Sequence, residues 1–141
     1  MALDANNPND VKEGRLLKVP IQGPGNANRL LIFTGTAVTN FAGPAESQGE
    51  GAISTGLLTI TLLDAAHAPQ DFIRSATFAS IAAETSGPGD EGPNDECYFD
   101  VTEVSTVKDF DGSLALKAIL RTGIDSVLLR VAYQANVLIH E

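Results

Sequence analysis

Between residues 127 and 139 the chain alternates almost without error between two faces. Val127, Leu129, Val131, Tyr133, Ala135, Val137 and Ile139 form one, and Leu128, Arg130, Ala132, Gln134, Asn136 and Leu138 form the other. A side-chain period of two marks a half-buried β-strand, whereas a helix would scatter the same residues around its circumference. At roughly 3.3 Å per residue such a strand spans about 40 Å. That is well beyond the usual length of about five or six residues, so the strand is expected to cross a whole sandwich face.

The rest of the chain reads as shorter strands separated by turn residues. Residues 1–14 are polar and rich in Asn and Asp, which predicts an N-terminal arm outside the folded domain. Residues 15–21 follow as a first strand with Leu17, Val19 and Ile21 on one face, and Pro20 marks an edge strand or a strand end because it cannot donate to a ladder. The stretch Gly23-Pro24-Gly25-Asn26 reads as a turn and not as a phosphate-cradling loop, because no helix follows it. In residues 29–39 the run Leu30-Leu31-Ile32-Phe33 predicts a strand buried on both faces. A Gly-rich loop over 41–56, holding Glu46 and Glu50, leads into a strand at 56–63.

Residues 72–83 read as a strand, with a helix as the alternative, because Pro69 could start one and Ser86-Gly87-Pro88 could stop it. After an acidic loop come a strand over 97–108, a hairpin turn at Asp111-Gly112, a strand over 113–120 and a turn at Thr122-Gly123. Six or seven strands without βαβ alternation predict an all-β fold, an antiparallel β-sandwich of Ig-like or jelly-roll type occupying residues 15–141.

With 141 residues, 43% of them apolar and 19% charged, the chain can bury a core without disulfides or metal. Six Phe, two Tyr and no Trp argue against an aromatic stacking platform. The net charge of −9 would repel phosphate backbones and anionic lipid, so neither nucleic acid nor membrane is the expected partner. Cys97 is the single cysteine and reads as a small buried hydrophobe more readily than as a reactive thiol. The N-terminal residues have neither the basic region nor the apolar stretch of a secretory signal, and no apolar run reaches a membrane span, so synthesis and folding in a cytoplasm are expected.

Catalytic signals are few. His67 reads as an exposed loop residue and His140 as the frayed end of the last strand. The chain holds no G-x-S-x-G, H-E-x-x-H or P-loop pattern, so neither an enzyme nor a cofactor is expected. Nine of the 18 acids lie between Glu84 and Asp111. Loops at one end of a sandwich could gather Asp90, Asp95, Asp109 and Asp111 as calcium ligands, although the spacing fits no EF-hand and a solvated acidic loop is the preferred reading. The second face of the last strand is half polar and half apolar. Leu128, Arg130, Gln134, Asn136 and Leu138 there read as a subunit interface, with packing under the chain's own loops as the equal alternative. The expected role is a non-enzymatic structural or assembly protein, such as a virion (phage) decoration, head or tail component, whose partners are copies of itself or a larger assembly. A calcium- or carbohydrate-binding module is the alternative.

Overall fold

The structure of the protein, a computed structural model, describes residues 2–42, 52–70, 78–86, 99–123 and 126–141. Burial along the last strand follows the alternation residue by residue: Leu129, Val131, Tyr133, Ala135, Val137 and Ile139 are buried, while Arg130, Ala132 and Gln134 between them are exposed. The described strands are β1 (Ala2–Asp4), β2 (Val11–Pro20), β3 (Arg29–Ala42), β4 (Ser54–Leu63), β5 (Phe78–Ser86), β6 (Phe99–Lys108), β7 (Leu114–Thr122) and β8 (Ser126–Ile139). They form two four-stranded sheets, ordered β1-β4-β7-β6 and β2-β3-β8-β5. Every pairing is antiparallel except that of β1 with β4.

The fold is therefore the expected β-sandwich, and its strand order can be given. If β2 to β8 are lettered A to G, an immunoglobulin domain has sheets ABED and CFG. This chain has ABGD and CFE, so the fifth and seventh strands have exchanged sheets.

The inner faces meet in one core. Leu31, Phe33, Ala37 and the inward set of β8 come from one sheet; Leu58, Ile60, Leu62, Leu114, Leu116 and Leu120 come from the other. One close approach inside it depends on a glycine. Gly35 pairs with Tyr133, and a Cβ on Gly35 would lie 2.5 Å from the tyrosine hydroxyl, so the ring occupies the space that a side chain would need. Burial there pushes the Tyr133 phenol up to about 12.

Four expectations are corrected. Residues 2–14 are not an arm outside the sandwich: β1 pairs with β4 in the register Leu3↔Ile60, and Leu3 and Val11 both belong to the core. The sequence offers no period here because only one residue of the three-residue strand points inward. Second, β2 begins at Val11, earlier than expected, because a bulge between Lys12 and Arg15 breaks the alternation, with Glu13 at φ 54. Third, the described strands number eight, against the six or seven expected; Leu17 and Val19 share a face as expected, and it is the outer one, in register with Ile32 and Leu30, while Leu16 takes the inward side. Fourth, the run at Leu30 is not buried on both faces; Leu31 and Phe33 are buried, but Leu30 and Ile32 are half-buried on the solvent side. The ambiguous stretch is extended from residue 78 onward, and residues 71–77 lie outside the described residues.

Two stability measurements follow. Leu129→Ala should cost about 2 to 4 kcal/mol in chemical denaturation through the cavity it leaves, whereas Gln134→Ala on the exposed side should cost under about 1 kcal/mol. Deleting residues 2–10 should lower stability by about 2 kcal/mol or more, because it removes the buried Leu3 together with the β1 ladder. An unchanged melting temperature would mean that β1 contributes nothing to the sandwich.

Candidate functional site

The outer face of the sheet β2-β3-β8-β5 is built from residues that alternate with the core set, so its composition is set by the same strands that make the core. Strand register aligns Val19, Leu30 and Leu138 in one row and Leu17, Ile32 and Asn136 in the next. Two adjacent rows therefore carry five aliphatic side chains on the side away from the core. Leu17 is 58% exposed, and Val19, Leu30, Ile32 and Leu138 are half-buried by one another. Further along the face, Val38 is 56% exposed and stands opposite Arg130. Large contiguous apolar patches on protein surfaces are often contact sites.

Polar groups frame the patch. Arg15, Thr34 and Gln134 share the row beside it, and Gln134 Nε2 donates to Asn136 Oδ1 at 3.2 Å. Among the described residues Arg15 and Arg130 make no ion pair. The other sheet contrasts with this: Lys117 pairs with Asp109 at 3.1 Å and Arg121 with Asp100 at 3.0 Å. The structure thus brings the expected interface residues Arg130, Gln134, Asn136 and Leu138 onto one solvent-facing surface, while the side chain of Leu128 lies outside the described residues. The reading of β8 alone missed Leu17, Val19, Leu30 and Ile32. The odd-even pattern of β2 and β3 held the signal, but it could not say which face was the core.

A cleft of about 630 Å³ opens where the two sheets part, with Leu16, Leu31, Leu63 and Ile139 on its floor and Lys18, Asp64, His67 and Glu141 among its polar walls. His67 Nδ1–H donates to Asp64 Oδ1 at 2.6 Å, which holds the Asp64 carboxyl below its ordinary range. A histidine oriented by a carboxylate is two-thirds of a nucleophilic triad, but among the described residues no serine, threonine or cysteine lines this cleft. His67 is 73% exposed, in keeping with a loop residue. His140 is not frayed. Its Nδ1–H donates to the Asn26 carbonyl at 2.8 Å, and Glu141 is held by Arg29 at 3.2 Å and by the Asn28 side chain.

The two acids described from the expected calcium set are engaged in the β6–β7 hairpin. Asp111 Oδ1 accepts from Ser113 N at 2.9 Å and from Ser113 Oγ at 2.6 Å, and these bonds hold its carboxyl below the usual range. Asp109 accepts from Phe110 N as well as from Lys117. Gly112 closes the turn at φ 87, a conformation that explains the glycine. Asp90 and Asp95 lie outside the described residues, as do Glu46, Glu50 and Cys97. Among the described residues no three His, Cys, Asp or Glu side chains cluster in a way that could hold a metal ion.

Calcium at millimolar concentration should accordingly leave the melting temperature unchanged, since only a ligand of the folded state raises it by mass action. A rise of several degrees that Asp109→Asn with Asp111→Asn removes would show that the hairpin carboxylates prefer the ion to their present donors.

No protein family, no curated protein and no solved structure matches this chain.

Proposed function

We propose that the protein is a non-enzymatic structural subunit that works by docking through the outer face of the sheet β2-β3-β8-β5, as a component of a larger protein assembly such as the decoration, head or tail of a virion. The observation that carries this reading is the pair of aligned aliphatic rows Val19-Leu30-Leu138 and Leu17-Ile32 on the solvent side of a sheet whose other side is already a complete core. Exposed aliphatic surface costs solubility and adds nothing to a monomer, and it gains free energy only when a partner removes it from water.

The surroundings of the patch suit a protein partner. Arg15, Gln134 and Asn136 give it a polar rim able to form hydrogen bonds across a contact, and Arg130 stands farther along the same face opposite Val38. Arg15 and Arg130 have no ion-pair partner among the described residues, and in a chain of net charge −9 this favours a partner carrying carboxylates, in which this chain's own surface is rich.

Measurement of native mass tests the reading. The wild-type protein should form a defined oligomer, and Val38→Glu combined with Leu138→Glu should reduce its mass while moving the melting temperature by no more than a few degrees. A wild-type protein that remains monomeric up to its solubility limit, indistinguishable from the double variant, would overturn it.

A further inference from the structure

β2 is exposed on both of its faces. Every residue from 12 to 18 is exposed, including Leu16 at 39% and Leu17 at 58%, although the strand is bonded into a sheet along one side. Strands that end a sheet present unpaired N–H and C=O groups, and proteins blunt such edges by shortening, bulging or covering them. The other sheet ends follow that rule. β1 has only three residues, β6 is interrupted by a bulge between Thr102 and Ser105 with Glu103 at φ 54, and β5 runs beside β6. In β2 the bulge lies near one end, between Lys12 and Arg15, and Pro20 lies at the other. Between them residues 15–19 form a straight window. Their outward backbone groups have no partner among the described loop and turn bonds.

We propose that this window is the docking edge for a second copy of the chain, added strand to strand and antiparallel in the register that places Leu17 opposite Leu17 of the copy. The inference rests on the assembly reading and supplies its partner. A two-fold axis through Leu17 pairs Arg15 with Val19 and Leu16 with Lys18 of the copy, so no like charges stand directly opposed. Lys18 is already balanced by Glu141 at 3.7 Å. The same register sets Gly14, where the bulge ends the ladder, against Pro20 of the copy, which cannot donate to one. The features that stop pairing therefore meet each other, as self-recognition requires and an unrelated strand has no reason to match. On the outer face Leu17 of each copy would join its own Ile32 to the other's, so the two apolar patches become continuous. An isologous contact of this type closes on itself and gives a dimer.

Residue 16 separates this edge from the outer face, because Leu16 points to the inner side. The wild-type protein should be dimeric by native mass spectrometry. Leu16→Lys sets two lysine pairs in opposition across the axis and should weaken the dimer about tenfold or more. Adding Lys18→Glu converts both pairs to opposite charges and should restore it, with the melting temperature of each variant reporting the fold. Leu17→Cys in a Cys97→Ser background should give a disulfide-linked dimer on mild oxidation. If Leu16→Lys leaves the mass unchanged while Val38→Glu with Leu138→Glu lowers it, the edge proposal fails and the assembly reading stands. A monomeric wild type that yields no cross-link at residue 17 overturns both.

Discussion

The pairing of β3 with β8 is the constraint on which the rest of the molecule depends. The two strands run antiparallel for 14 residues each, from Arg29↔Ile139 to Ala42↔Ser126. β2 is attached to this ribbon on one side and β5 on the other, so β5 has no place in the sheet until β8 is seated. Its inner face supplies half of the core and its outer face most of the candidate contact surface. One end of the ribbon is secured by residues far apart in the chain, where Asn28 and Arg29 hold Glu141. Such long-range closure costs loop entropy before any burial offsets it, and folds built this way assemble slowly.

What could be read from the chain beforehand follows from how local each determinant is. The C-terminal strand was legible because it is long and half-buried, so thirteen letters carry the alternation. The β6–β7 hairpin was legible because Asp111 and Gly112 meet the local demands of the turn, a side-chain acceptor for Ser113 and a positive φ. β1 was not, since a single inward leucine has no period. Which face of β2 looks outward was not legible for a related reason. Leu17 and Val19 alternate as a core pair would, and only the register with Ile32 and Leu30 shows that they look outward. Contiguous aliphatic residues such as Leu30 to Phe33 read alike whether their second face is buried by the domain itself or left for something else to bury. Sheet order lay beyond local signals altogether.

The two sheets are finished differently on their solvent sides. On β1-β4-β7-β6 the outward positions of β4 are the exposed Thr55 and Leu57 and the half-buried Thr59 and Thr61, and the cations of β7 are matched by Asp100 and Asp109. That surface satisfies itself. On β2-β3-β8-β5 the outward positions are aliphatic at one end, and the two arginines there have no ionic partner among the described residues. Two sheets of one domain, made under the same solubility demands, would not diverge in this way by solubility alone. The docking proposed for the second face would account for this asymmetry.

Placing the contact surface on the sheet that contains the C-terminal strand has a further physical consequence. The row Val19-Leu30-Leu138 is complete only when β8 has inserted between β3 and β5. Before that, β2 and β3 form at most an isolated hairpin, which is marginally stable in water and cannot present an ordered apolar surface or a fixed edge. A partially folded chain therefore lacks the geometry that docking requires, even though it carries nearly all the residues involved. Once β8 is seated, the same step that buries Leu129 to Ile139 in the core aligns Leu138 with Leu30 on the outside. Completion of the core and alignment of the outer rows are a single event, so the docking proposed above would be confined to molecules that have folded.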